Sequence, residues 1–284
     1  MVDRLQSDIS LKFGRIGHKI FNGVKVMIDT IKVPSEALKS ATLLKVITPD
    51  QMNSQRMMIL LHGKLDPEWS TEQLELFIQE LALEELCNEF NMMIVIPLMQ
   101  NCYYISSQNY DCDRFVAQEL PDMVMKKYGI SDSAERILAG VSMGGFGAVL
   151  IGARTAAFRK IISISGAYIA HDVQIGNPEV WGSLTPVSKN LSASFLRHFL
   201  PLENLEESVD RNALAALLLF QNYNVIVVAA CGTKDWLYSR NLRFVRELEK
   251  NNIDYKFYSL EDGDHESECF KMGLWKVIEH LTDK

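Results

Sequence analysis

Five cysteines are spread over 284 residues with no C-x-x-C spacing, so the pattern of a structural zinc site is missing. Their number is odd (Cys87, Cys102, Cys112, Cys231 and Cys269), which excludes a framework in which every thiol is paired. Cys102 and Cys112 could pair in principle, but free thiols are the expectation. No stretch approaches the ~20 uninterrupted apolar residues of a membrane span. The N-terminal M-V-D-R-L-Q-S-D-I-S-L-K has no apolar core of export-signal length. A cytoplasmic chain without a membrane span is therefore expected. Positive charge is also short: 29 Lys and Arg against 36 Asp and Glu give a net charge of -7. That balance argues against nucleic acid or an anionic membrane as the main partner, since either would want a basic face. Internal repeats, low-complexity tracts and Gly/Ser linkers are absent, so nothing divides the chain.

What remains is an alternation of strand and helix signals. Residues 1–24 are weakly patterned and read as an N-terminal extension of unassigned structure; residues 25–284 read as a single domain. Short strands are expected at 30–33 and 42–47, with a turn signal at Pro34-Ser35. Met57 to Leu61 is an apolar run ending in His62-Gly63, as a buried parallel strand would. Ser70 with Gln73 has the spacing of a capping box and opens an expected helix over 71–90, with Leu74, Phe77, Ile78, Leu81 and Ala82 at helical spacing. Further strands are expected at 92–96, 136–141, 160–165, 225–230 and 255–260. Helices are expected at 116–128, 145–157, 239–251 and 269–281. The stretch 167–223, with Pro178, Trp181, Gly182 and Pro186 before helical-looking segments at 193–200 and 213–220, reads as an insertion forming a lid or pocket wall. Such βαβ alternation implies an α/β fold around a mostly parallel sheet. Functional residues in such sheets lie at the carboxyl ends of the strands.

One motif stands at such an end. Gly140-Val141-Ser142-Met143-Gly144 is a G-x-S-x-G between an expected strand and an expected helix, the context in which a serine stands exposed on a strained turn. A serine hydroxyl is too weak an acid to attack a carbonyl unaided and needs a base. Beyond Ser142 lie only His171, His198, His265 and His280. His265, in the polar loop E-D-G-D-H-E-S after the strand ending at Leu260, is the candidate base. Asp235, in C-G-T-K-D-W-L-Y after the strand ending at Ala230, is the candidate for orienting it. The backbone N–H groups of Met143, at the start of the following helix, and of Lys64, after Gly63, are candidates for holding a developing oxyanion. His62 is expected to brace that loop by hydrogen bonds, and Trp69, Tyr104, Trp181 and Trp236 are candidate substrate contacts.

At these residues the chain resembles the esterase D group of α/β-hydrolases, including tributyrin esterases and their acetyl- and feruloyl-esterase relatives. The resemblance runs from about Met27 to the end. It rests on L-L-H-G, on Asn101 and Tyr104, on A-Q-E-L-P from Ala117, on A-G-V-S-M-G-G-F-G-A, on I-S-G-A from Ile164, and on C-G-T-K-D-W-L-Y and D-G-D-H-E. It implies an α/β-hydrolase fold and a serine carboxylic-ester hydrolase acting on short-chain, acetyl-type esters. Ser142, Asp235 and His265 would form the triad, Met143 and Lys64 the oxyanion donors, and no metal or organic cofactor would be needed. The implied partner is a small-molecule or glycan ester; a homo-oligomer is left open. Two departures stand out: Lys64-Leu65-Asp66-Pro67 replaces the family's hydrophobic residue and second glycine, and Glu266-Ser267-Glu268 follows His265 where aromatics are common. Alternatives are a carbohydrate O-acetyl esterase or acyltransferase, a thioester hydrolase like S-formylglutathione hydrolase, and a catalytically silent binding protein on the hydrolase fold.

Overall fold

The computed structural model describes residues 13–21, 24–52, 55–65, 71–176, 199, 204–220 and 225–282. Nine strands among them form one sheet in the order β1-β2-β3-β5-β4-β6-β7-β8-β9. They are β1 (Phe13–Phe21), β2 (Val24–Ser35), β3 (Ser40–Pro49), β4 (Arg56–Leu61), β5 (Met93–Pro97), β6 (Glu135–Val141), β7 (Lys160–Ile164), β8 (Ile226–Gly232) and β9 (Tyr255–Leu260). The first three are antiparallel, and β3 joins β5 antiparallel. From β5 onward all neighbours are parallel. This is the α/β-hydrolase architecture, with the sheet order reversing after β4. The chain runs outward from β4 to β5, then crosses back to lay β6 on the other side of β4. That reversal opens a crevice at the carboxyl ends of β4 and β6, where open parallel sheets place their ligands.

Both faces of the central strands are covered, which is why they read as continuous apolar runs rather than alternations. In β4, Met57, Ile59 and Leu61 belong to one core and Met58 and Leu60 to the other. Met93 and Val95 of β5 likewise separate from Ile94 and Ile96. Helices α1 (Thr71–Glu80), α2 (Leu83–Glu89) and α8 (Ser267–Thr282) cover one face. Helices α3 (Leu120–Tyr128), α4 (Met143–Thr155), α5 (Ala170–Gln174), α6 (Ala213–Phe220) and α7 (Tyr238–Lys250) belong to the rest of the chain, with α3, α4 and α6 packed into the opposite core. No helix of the described residues is long and apolar enough to cross a membrane.

Several expected boundaries move, each for a physical reason. Part of the assigned N-terminal extension, residues 13–21, is a strand paired with β2. The turn lies beyond Ser35, because Pro34 sits inside β2 opposite Ala41. Pairing with β1 stops at Ile31, so the outer side of β2 at Pro34 faces no described strand and its missing N–H costs no ladder bond. The single helix expected over 71–90 is two helices, broken at Ala82, whose φ is 51°. Leu81 and Leu83 are both buried in the same core. On a continuous helix they would point about 200° apart, so the left-handed residue between them re-aims the chain. The helix expected over 116–128 opens instead with a turn at Cys112–Arg114 and a widened turn at Phe115–Glu119. Pro121 in the first turn of α3 has no N–H to offer the carbonyl four residues back. The helix expected over 145–157 begins two residues earlier, directly after Ser142. The helical reading of 213–220 matches α6, whereas Ser70, Pro178, Trp181, Gly182, Pro186 and all but one residue of 193–200 lie outside the described residues.

Candidate active site

Ser142 sits between the last residue of β6 and the first of α4 with φ 56° and ψ -114°. A β-carbon-bearing residue rarely adopts that conformation, and it persists because the surroundings over-determine it. The Ser142 N–H donates to the Ile164 carbonyl at 2.9 Å, and the Ser142 carbonyl accepts from Phe146 at 3.2 Å and Ala167 at 3.0 Å. Two glycines make the turn possible. A β-carbon on Gly140 would overlap the Gly144 carbonyl, and one on Gly144 would overlap the Leu61 carbonyl. Both obstacles are backbone, so they cannot swing aside. Gly140→Ala is expected to lower unfolding free energy by about 3 kcal/mol or more, measured by urea denaturation; a loss under 1 kcal/mol would contradict this packing.

Ser142 Oγ lies 3.1 Å from His265 Nε2. On the other side of the ring, His265 Nδ1 lies 2.8 Å from Asp235 Oδ2. The carboxylate only accepts, so Nδ1 carries the proton and Nε2 is left to accept from the serine hydroxyl. Asp235 is fixed in turn: its Oδ1 accepts from the Leu237 N–H at 2.8 Å, and its side chain is wholly shielded from solvent. Burial pushes the Asp235 carboxyl upward, but the hydrogen bond and charge of His265 and the Leu237 N–H outweigh it and hold the group below its ordinary range. The imidazole is wedged between rings, with Phe270 edge-on at 4.9 Å and Trp236 at 5.7 Å. Three side chains far apart in sequence thus meet at the carboxyl ends of β6, β8 and β9. The acids of the His265 loop itself are turned elsewhere: Asp262 pairs with Lys234 at the surface, and Asp264 accepts from the His265 backbone N–H.

The loop after β4 faces Ser142. A β-carbon at Gly63 would touch Ser142 Cβ at 3.4 Å, which puts the Gly63–Lys64 backbone beside the hydroxyl. Lys64 itself is an exposed residue on the cleft wall. Met143 is the first residue of α4, and the first-turn N–H groups of a helix have no acceptor within it. His62 braces the loop. The Met99 N–H donates to its Nε2 at 3.0 Å, so Nδ1 carries the proton and donates to the Gly63 carbonyl at 2.6 Å. Protonating Nε2 would set two N–H groups against each other in a site with no solvent. Burial lowers the His62 pKa to about 4, against the opposing pull of the Gly63 carbonyl.

That depression has a stability consequence. An unfolded His62 titrates near 6.5 and the folded one near 4, so below about pH 6.5 the unfolded chain binds the extra proton and folding weakens until pH 4 is reached. The full effect is roughly 3 kcal/mol. Urea midpoints of the native protein are expected to fall between pH 7 and pH 5 more steeply than those of His62→Gln; parallel curves would show that His62 is not buried neutral.

Asn101 clamps the next residue, accepting from the Leu65 N–H at 3.0 Å and donating to the Leu65 carbonyl at 2.6 Å. Sequence reading gave Asn101 no such role, although its place just past the carboxyl end of β5 was the signal. The cleft over Ser142 has a volume of about 500 Å³, with Leu65, Phe77, Tyr103, Trp236 and Phe270 among its walls. Trp236 is where the sequence reading put it. Tyr104 is not: it is fully buried, and its hydroxyl donates to the His62 carbonyl at 3.0 Å, so it supports the loop from beneath while Tyr103 takes the cleft. Two successive left-handed residues, Tyr103 at φ 55° and Tyr104 at φ 56°, produce this exchange, which spacing alone does not reveal. Trp69 and Trp181 lie outside the described residues.

Comparison with known proteins bears on the family and the fold. A family profile described as "Putative esterase" matches residues 97–276. A search of curated proteins gives no match. Among solved structures, the S-formylglutathione hydrolase of Staphylococcus aureus aligns with a TM-score of 0.73 at 19% identity, covering 90% of this chain and 99% of that one. The fluorophosphonate-binding serine hydrolase F of Staphylococcus aureus aligns with a TM-score of 0.73 at 18% identity, covering 90% and 98%. A ferulic acid esterase aligns with a TM-score of 0.64 at 21% identity, covering 92% and 98%. At such identities the likeness is one of fold.

Proposed function

Because the chain belongs to the esterase family, and is a carboxylic-ester hydrolase by that membership, we propose that Ser142, His265 and Asp235 are its catalytic triad and that it cleaves short-chain, acetyl-type esters through an acyl-enzyme. The single observation that carries this is the unbroken relay from hydroxyl to ring to buried carboxylate, at 3.1 and 2.8 Å. In the proposed reaction Ser142 Oγ attacks the ester carbonyl while Nε2 of His265 takes its proton. Asp235 stabilises the imidazolium, which then protonates the departing alcohol. The backbone N–H groups of Met143 and Lys64 hold the oxyanion, each contributing about 3 kcal/mol to the lowered barrier. Water, activated by the same histidine, then releases the acid. Neither a metal nor an organic cofactor has a step in this scheme.

The cleft sets Leu65, Phe77, Trp236 and Phe270 beside Lys64, Gln73 and Glu80, a mixed wall that suits a small ester with an apolar part and a polar end. A thioester substrate is the second reading, favoured by the likeness to an S-formylglutathione hydrolase. The test compares kcat/KM for p-nitrophenyl acetate, p-nitrophenyl butyrate, p-nitrophenyl octanoate and an S-acyl glutathione. The proposal expects the oxoesters to be turned over, with acetate and butyrate ahead of longer chains. Turnover confined to the thioester would reverse the order of the two readings.

A further inference from the structure

Cys102 and Cys112 stand apart from the other three thiols. Their sulfurs lie 3.9 Å apart, both fully buried, under the loop that follows β5. Beside Cys102 is a small cleft of about 110 Å³, separate from the one over Ser142 and lined by Met99, Tyr110 and Thr42 among others. It is large enough for a molecule the size of hydrogen peroxide. The hydrogen bond with the Cys112 sulfur, backed by the Tyr104 N–H and the Tyr110 hydroxyl, holds Cys102 below the usual thiol range despite its burial. Cys112 moves the opposite way. Burial pushes Cys87, Cys231 and Cys269 up, the last to about 11. Two sulfurs are thus in contact with each other, the first on a residue that lines a cleft and held below the range of the other thiols.

We propose that Cys102 and Cys112 form an oxidation site for small hydroperoxides, in which a reversible disulfide lowers turnover by shifting the loop that holds the oxyanion donor. The chemistry takes two steps. The Cys102 thiolate attacks one peroxide oxygen, the O–O bond breaks, hydroxide leaves and takes up a proton as water, and Cys102 becomes a sulfenic acid. The Cys112 sulfur then attacks that sulfur, the S–S bond forms, the S–O bond breaks, and a second water leaves with the Cys112 proton. Two thiols have given two electrons to one peroxide.

The link to the cleft runs through neighbours already described. Bonding requires the sulfurs to close from 3.9 Å to about 2.05 Å. Cys112 is anchored at the start of a helical run, with its N–H on Ser106 Oγ at 3.0 Å. The movement therefore falls on the 99–105 loop. Within it, Met99 holds His62, Asn101 clamps Leu65, Tyr103 lines the cleft and Tyr104 supports the His62 carbonyl. Misplacing reacting groups by about 1 Å costs on the order of a hundredfold in rate.

The disulfide itself does not depend on the ester-hydrolase reading; its effect on turnover does. The folded protein is treated with hydrogen peroxide, alkylated under denaturing conditions and digested. Two of the five thiols are expected to be lost, recovered as one Cys102–Cys112 linked peptide. Turnover of p-nitrophenyl acetate is expected to fall at least tenfold in parallel and to return with dithiothreitol. In Cys112→Ala the reaction should halt at a dimedone-reactive Cys102. Should that variant fail to fold, peptide mapping of the native protein decides alone. A folded protein whose two thiols stay free, or bridge only after unfolding, overturns the site. A bridge that forms while turnover stays level overturns the coupling, and a protein inactive before oxidation would fault the ester-hydrolase reading and leave the thiol result standing.

Discussion

Replacing Ser142 with alanine is expected to lower kcat for p-nitrophenyl acetate by on the order of 10⁶-fold, to the level left by oxyanion stabilisation and binding. The size follows from the absence of a substitute. The hydroxyl is the one group at the turn that can form the acyl bond, and every backbone contact fixing it, from Ile164, Phe146 and Ala167, survives the change. Stability should therefore shift by less than about 1 kcal/mol, separating a chemical loss from unfolding. Circular dichroism and urea midpoints beside the kinetics make that separation. A loss of activity accompanied by a collapsed midpoint would leave the serine's chemical role without support.

Asp235→Asn is expected to lower kcat by about 10⁴-fold with KM little changed. Asp235 Oδ1 accepts from the Leu237 N–H, so in the variant the amide oxygen must stay there. The amide NH₂ then occupies the Oδ2 position, 2.8 Å from His265 Nδ1. It donates where the carboxylate accepted, so Nδ1 loses its proton to Nε2 and the ring has no free lone pair for the Ser142 hydroxyl. The triad keeps its shape with the wrong tautomer. A variant retaining more than a tenth of native kcat would show that Asp235 does not orient the base, and Asp264, adjacent to His265 in sequence, would be the next acid to replace.

Much of this was legible in the residues. The strand runs of β4 to β8 are short, apolar and covered on both faces, so their signal is strong, and the more exposed edge strand β9 still coincides with its expected span of 255–260. Ser142, Asp235 and His265 could be picked out because each follows a strand, and the structure brings those three together. What escaped was set by backbone conformation rather than residue type. The left-handed Ala82 split one expected helix in two, and left-handed Tyr103 and Tyr104 exchanged which ring faces the cleft. The Asn101 clamp depends on two loops from different strands meeting, which no local pattern encodes. The strand at 13–21 was missed because an antiparallel strand at one end of the order carries only weak alternation.

Activation of Ser142 by its histidine is what covalent labelling reads directly. The native protein is treated with a fluorophosphonate at neutral pH, and the labelled peptide is sequenced by mass spectrometry. One phosphonate per chain is expected, on Ser142, with labelling abolished in Ser142→Ala and slowed at least a hundredfold in His265→Ala. A folded native protein that takes up no label, or carries it on another residue, would contradict the assignment.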